Sequence, residues 1–289
     1  MINILAEKID ADLHGLNGDA VKGEVHSVFR RVVNLVFEDG VFVSLLLSSM
    51  YMVPFGVRVR RILPFEDIFL RGRVAIRDKD GILVWSGSRV RIPLSADVEL
   101  WDAKLPVCKF DVRLISDRLM NVLDFLRREG KGELSHLLFD GKFFQDCEDV
   151  AKLLRCFVSE VAAGRRGSFY VRKMLGRGVG LTPSLDDWIG GFSSAYCVFL
   201  GDAPWLGDVK DELFYATTAV SAHMLFNLYH GKVPEVYQRF WSTFVDGGSV
   251  FYKAMSDVVG VGATSGSDWL TGVAMALEIL IKGGIVSVS

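Results

Sequence analysis

From about residue 25 to residue 110, apolar and polar positions alternate and are interrupted by turn residues, the period-two pattern of half-buried strands. The run VHSVFRRVVNLVFEDGVFVSLLL reads as two strands joined at Glu38-Asp39-Gly40, because Asp-Gly supplies the backbone conformation a tight hairpin needs. Further strands are predicted at residues 56–62, 71–77, 82–85 and 88–92, the middle two joined across Asp78 to Gly81. Several short strands in series predict a compact barrel or sandwich. Beyond Leu114 the period lengthens, and helices are predicted near residues 117–128, 146–163, 184–200, 207–229, 234–245, 249–259 and 265–281. Pro183, Pro204 and Pro234 fall at helix edges or in loops, where proline is tolerated. The chain thus reads as an α+β protein, with a β-rich barrel or sandwich over residues 1–115 and a mainly helical domain over 116–289.

Two of the predicted helices are entered in the same way. GRGVGLTPSLDDWIGG ends at Gly191 and VVGVGATSGSDWLTG at Gly272; each passes from Gly-Val-Gly through Thr to Ser-x-x-Asp-Trp and on to a Gly. An echo of this kind, about 80 residues apart, is the sequence mark of a duplicated structural unit. Glycines at alternate positions let successive N–H groups converge on an anion, and a helix beginning just after adds its unpaired N–H groups and positive dipole end. The anion-binding candidates are therefore Gly178, Gly180, Thr182, Ser184, Gly262, Thr264 and Ser265. A plainer reading stands beside this one. Ser184 with Asp187, and Ser265 with Asp268, have the spacing of a capping box, in which both side chains satisfy the helix's own orphan donors.

Carboxylates next to an anion loop would repel phosphate. Either the Asp side chains only cap, or a divalent cation such as Mg²⁺ sits between carboxylate and phosphate. Asp186, Asp187 and Asp268 are the candidate ligands of that cation, and no other cofactor is indicated.

Half of the 289 residues are hydrophobic and 24% are charged, which places the chain among globular proteins. The net charge of −2 argues against bulk attraction to nucleic acid or to an anionic membrane surface. Cys108, Cys147, Cys156 and Cys197 form no C-x-x-C pair and read as reduced, half-buried thiols. Glu7, Asp10 and Asp12 near the start do not suit a signal peptide, and the best apolar runs, 192–200 and 269–281, are too short to span a bilayer. A cytoplasmic protein is expected. Arg58 with Arg60, Arg71 with Arg73, and Arg89 with Arg91 recur at the spacing of one strand face, which reads as a solvated surface rather than an anion collector. Thr217, Thr218 and Ser221 are neighbours on one side of a predicted helix, and hydroxyls there commonly bond back to preceding carbonyls. His223 and His230 are seven residues apart, not the four that place two imidazoles on one metal. There is no G-x-x-x-x-G-K-[ST], no dinucleotide fingerprint, no G-x-S-x-G and no H-E-x-x-H, which demotes the common nucleotide hydrolases, dehydrogenases and zinc or serine hydrolases.

At GVGLTPSLDDWIGG, TTAVSAHML (Thr217 to Leu225) and GATSGSDWLTG the chain resembles the AllH-like family, a bacterial family named after one subunit of an oxamate carbamoyltransferase complex. The three ordered blocks span most of the C-terminal 120 or so residues, and the β-rich half follows more loosely. Two positions depart from the family pattern: Leu185 stands where Gly is usual, and Ala263 where His is frequent. The resemblance implies a role in carbamoyl phosphate and oxamate metabolism, in the breakdown of purine-derived ureides, together with partner subunits. Thr182, Ser184 and Thr264 would then donate hydrogen bonds to phosphate or carboxylate. Two rival readings are a non-catalytic scaffold or regulatory subunit, and a Mg²⁺-dependent phosphoryl-transfer or hydrolytic enzyme using Asp186, Asp187 and Asp268.

Overall fold

A computed structural model describes residues 1–16, 18–60, 64–94, 97–109, 111–139 and 148–282. The chain divides into two compact units, Met1–Ala103 and Lys104–Ser289.

The first unit is one ten-stranded sheet: β1 (Ile2–Asn3), β2 (Ala6–Asp10), β3 (Val21–Val28), β4 (Val32–Phe37), β5 (Phe42–Leu47), β6 (Gly56–Val59), β7 (Val74–Asp78), β8 (Gly81–Ser86), β9 (Ser88–Pro93) and β10 (Glu99–Trp101). A short helix α1 (Ala11–Gly15) follows β2. The order is β1-β9-β8-β7-β3-β4-β5-β6-β2-β10. β1 and β2 are nearly continuous in sequence, yet they lie toward opposite ends of that order. Ile2 and Asn3 pair with Val90 and Arg91, while Ala6 to Ile9 pair with Val57 to Val59. Between them, the Ile4 amide donates to the Arg91 carbonyl and Leu5 accepts from the Arg60 amide. Three steps of chain reach at most about 11 Å. The sheet must therefore curl until β6 and β9 flank the same N-terminal segment, which makes it a curled half-barrel rather than a sandwich. Alternate residues of its strands, among them Val33, Leu35, Val43, Leu45, Ile82, Val84, Val90 and Ile92, form one buried core.

The hairpin at Asp39-Gly40 forms, with Gly40 at φ 80°. The predicted strand 56–62 is Gly56–Val59, and Arg61 and Ile62 lie outside the described residues. Arg58 and Arg60 both pair with Glu7, Arg71 and Arg73 stand exposed in the turn before β7, and Arg89 and Arg91 are exposed on β9. The β-rich unit buries a different arginine, Arg77, which is paired with Asp39 and lies 5.3 Å from the Phe37 ring centre.

The second unit is helical: α2 (Val112–Glu129), α3 (Glu133–Leu137), α4 (Glu148–Ala162), α5 (Ser168–Met174), α6 (Ser184–Leu200), α7 (Pro204–Val209), α8 (Leu213–Ala216), α9 (Ala219–Tyr229), α10 (Glu235–Thr243), α11 (Gly248–Val259) and α12 (Ser265–Lys282). The single helix predicted at 207–229 is broken into pieces. Thr217 is extended, and Thr218 starts α9 by accepting the Ser221 amide on its side chain. Cys108 and Cys197 are buried free thiols and Cys156 a half-buried one; Cys147 lies outside the described residues. No described helix is long and apolar enough to cross a membrane.

α6 and α12 form the centre of this unit. From Leu185 to Phe199 every residue of α6 is buried, its Asp and Ser residues included. The two helices cross at their glycines. A Cβ added to Gly191 would stand 1.8 Å from the Trp269 carbonyl oxygen, and one added to Gly272 would stand 2.1 Å from that of Trp188. Trp188-x-x-Gly191 and Trp269-x-x-Gly272 therefore meet reciprocally, each glycine receiving the other helix's tryptophan carbonyl. Trp188 and Phe192 stack on one side with Phe157 against their edges; on the other, Tyr237 stacks on Trp269 at 4.2 Å.

Candidate functional site

The reciprocal crossing brings the two glycine-loop helix starts together. The hydroxyls of Thr182 and Ser265 are hydrogen bonded at 2.9 Å. Asp187 faces Ser265 across the crossing and Thr182 on its own loop; Asp268 correspondingly faces Ser184 and Thr264. Of the predicted anion-binding residues, Thr182, Ser184, Thr264 and Ser265 gather here, half-buried. Gly178 takes φ 125° and packs so closely that a Cβ would lie 2.4 Å from the Ser184 nitrogen. Gly180 has open space around it, and Gly262 turns back on Ser265.

The expected capping box is not what starts α6. Pro183 occupies the cap position and offers no side-chain acceptor, and the Leu185 amide donates to the Arg177 carbonyl at 3.1 Å. The loop backbone thus takes a first-turn donor, which frees the Ser184 and Asp187 side chains from capping.

The three Asp residues are 2%, 5% and 1% exposed at positions 186, 187 and 268, and they are used differently. Asp186 accepts from the Gly176 amide at 2.8 Å, from Ser221 at 2.7 Å and from Thr217. Burial raises its pKa and those three bonds oppose the rise. The Thr217 and Ser221 hydroxyls therefore bond forward to Asp186 instead of back to their own helix, which the break before α9 allows. Asp187 is pushed up to about 8, first by burial and then by the charges of Asp268 and Asp186, against the hydroxyls of Ser265 and Thr182. Asp268 is pushed up to about 6 by burial and the charge of Glu133, against Thr264 and Ser184. Those hydroxyls favour its charged form, yet neither oxygen of Asp268, nor Oδ2 of Asp187, meets a donor at hydrogen-bond geometry among the described residues. Burial thus favours the neutral form of both carboxyls, and of Asp187 the more strongly. The Tyr237 hydroxyl, also without a described partner, is raised by burial and by both carboxyls. A cavity of about 30 Å³, room for one water, touches Asp187 and Tyr237.

A larger cavity of about 460 Å³ opens at the helix starts, walled by Gly132, Glu133, Leu134, Val150, Arg177, Gly178, Val179, Ser184, Leu185 and Thr264. Arg177 also borders a second cavity of about 350 Å³ with Lys152, Cys156 and Tyr170. Leu185 is part of the larger cavity's wall. Sequence reading passed over Arg177, although it stands between two glycines of the loop. It had no signal for Gly132 or Tyr237. Among the described residues, no three His, Cys, Asp or Glu side chains come together as a metal set. His223 packs against Phe214, and His230 against Phe226 and Tyr229.

Residues 174–277 match the family described as oxamate carbamoyltransferase subunit AllH, and residues 5–101 match the AllH family N-terminal domain. The chain belongs to the AllH family. No solved structure matches it. The AllH match begins before the Gly176 loop and ends within α12, so it contains both helix starts, the crossing glycines and the three Asp residues. The family name describes a carbamoyltransferase subunit, which implies partner subunits.

Proposed function

We propose that this chain is a carbamoyltransferase subunit that binds a small anionic carbamoyl compound or its acceptor in the cavity at the two helix starts. One observation carries the reading: the two glycine-loop segments, far apart in sequence, share a hydrogen bond between Thr182 and Ser265 beside a cavity lined by Arg177, Gly178, Ser184 and Thr264. Arg177 is the cation of that wall, and a guanidinium matches a carboxylate or phosphate with two parallel N–H donors. The hydroxyls of Ser184 and Thr264 supply directional contacts within that lining. Burial raises the pKa of all three Asp residues, which lessens the repulsion they would impose on an anion, and Asp186 already holds three protein donors.

The test is a thermal-shift titration of the chain, alone and with its partner subunits, using carbamoyl phosphate, oxamate and inorganic phosphate. A ligand at a hundredfold its Kd that binds only the folded state stabilises by about 2.7 kcal/mol, a readily measured rise in Tm. The rise is expected with carbamoyl phosphate or oxamate and is expected to shrink in Thr264→Val, which keeps the shape and removes the hydroxyl. Absence of any shift in the assembled complex would remove the binding role and leave the scaffold reading.

A further inference from the structure

α9, AVSAHMLFNLY, has no Asp, Glu, Lys or Arg among its 11 residues. A surface helix normally turns charged residues outward, and one without them is normally covered on all sides. α9 is covered on one side only. Ser221, Ala222, Leu225 and Leu228 are buried, whereas His223 and Phe226 are half-buried, and Tyr229 and the cap residue His230 are exposed. The rings on that open side run on into α8. His223 and Phe226 meet Phe214 at 5.0 and 5.5 Å between ring centres, and His230 meets Phe226 at 4.7 Å and Tyr229 at 4.9 Å. Tyr215, next to Phe214, is 77% exposed. The strip also reaches the candidate site. The Thr218 hydroxyl donates to the Leu181 carbonyl, and a Cβ on Gly176 would stand 2.5 Å from the Ala216 carbonyl oxygen. The glycine loop is thus held against the start of α9 at both ends. Between those points it exposes Val179 at 95%, a side chain that also walls the larger cavity.

We propose that the strip formed by Val179, Phe214, Tyr215, Phe226 and Tyr229 is the docking surface for another subunit of the carbamoyltransferase, and that the docked subunit covers Val179 and closes the cavity. The family description supplies the partner, since it names a subunit, and the strip supplies the place. Contiguous exposed aromatic side chains with no charge among them mark an association surface, and Tyr and Phe are enriched at the centres of such surfaces. Rings already packed on one another lose little side-chain freedom when a partner covers them. The partner's matching face is apolar, with a carboxylate at the edge where Lys210 lies 5.5 Å from the Tyr229 ring centre. Among the described residues Lys210 has no carboxylate partner of its own. Closing the cavity is the part that rests on the functional reading above: a lid over Val179 excludes water from the bound ligand and slows its release.

The chain is expressed together with the other subunits, the mass of the assembly is read by light scattering, and the subunit affinity is measured by interferometry. Wild type is expected in a mixed complex in which oxidative labelling of Tyr215 and Tyr229 falls below that of the isolated chain. Tyr215→Ser, at a side chain too exposed to be needed for folding, is expected to weaken the complex by about tenfold or more. Lys210→Glu is expected to weaken it as well, and Met120→Ser, 66% exposed on α2, to leave it unchanged. A complex that Tyr215→Ser leaves intact, or that Met120→Ser weakens equally, overturns the proposal. So does a chain that stays monomeric beside the other subunits, or one that uses the strip only to pair with a second copy of itself. The closing role is read from ligand release, expected to be at least about tenfold slower from the complex than from the isolated chain; equal rates overturn that role. A complex that Tyr215→Ser weakens but that binds none of carbamoyl phosphate, oxamate and phosphate overturns the functional reading and the lid with it, and leaves the docking surface standing.

Discussion

Gly191→Ala is expected to cost at least about 3 kcal/mol of stability, while Gly190→Ala, one residue earlier, is expected to leave stability unchanged or raise it by up to about 1 kcal/mol. The two glycines lie side by side in α6 but meet different surroundings. A Cβ at Gly191 falls 1.8 Å from the Trp269 carbonyl oxygen, inside any van der Waals contact, and the obstacle is backbone that is itself part of α12. It cannot rotate away as a side chain would, so the helices must separate or bend. At Gly190 the nearest atom is Trp269 Cδ1 at 3.6 Å, an ordinary contact, and alanine removes unfolded-state freedom and improves helix propensity. Gly272→Ala should behave as Gly191→Ala does, since its Cβ would lie 2.1 Å from the Trp188 carbonyl. Urea melts of the three variants are the measurement, and a Gly191→Ala midpoint equal to that of Gly190→Ala would disprove the close crossing. A net stability of roughly 5–15 kcal/mol is typical of a domain, so the loss is large. Because the crossing sets the separation of Ser184 from Thr264, any Gly191→Ala protein that folds should also bind ligand poorly.

The second large effect is on pH dependence. Folded Asp187 keeps its proton up to about 8, whereas the unfolded side chain releases it near 3.8. Between those values the unfolded state binds fewer protons, so stability falls as pH rises and levels off once the folded carboxyl has ionised. Asp268, pushed up to about 6, acts with the same sign lower in the range. His230 is lowered by burial, so its stabilising effect is lost as pH falls and opposes the Asp trend in the acidic range. The clean window is therefore from about pH 6.5 to pH 8, where roughly 2 kcal/mol should be lost at about 1.4 kcal/mol per pH unit. Asp187→Asn, neutral throughout, should flatten that slope and be more stable than wild type above pH 8. Chemical denaturation at a series of pH values reads both, and a wild type whose stability is constant or rising across the window would show that Asp187 is ionised in the fold.

Much of this architecture can be read from local pattern. The alternation in VVNLVFEDGVFVSLLL and the Asp39-Gly40 turn were enough for β4 and β5, because side-chain period and turn chemistry act over a few residues. The echo of Ser-x-x-Asp-Trp was enough to single out α6 and α12. The N-terminal strands were not legible: Ile2 to Asp10 is short, interrupted at Ile4 and Leu5, and stabilised by β6, β9 and β10, which all arrive later in the chain. The break at Thr217 was also hidden, since the residues around it have ordinary helical composition; the extended Thr217 is compensated by its bond to Asp186, 31 positions away.

The same division holds at the candidate site. Composition and spacing determined on their own which residue types enter the two helix starts, and therefore that hydroxyls, glycines and carboxyls would be available there. Family membership was legible for the same reason, because it is carried by those ordered blocks. Only the tertiary structure decided what each residue does. The reciprocal fit of Gly191 and Gly272 against tryptophan carbonyls brings the two loops to one place, and the burial that follows splits Asp187 from Asp268 and turns Asp186 into a structural acceptor. Desolvation depends on everything packed around a group, and no stretch of neighbouring sequence encodes it.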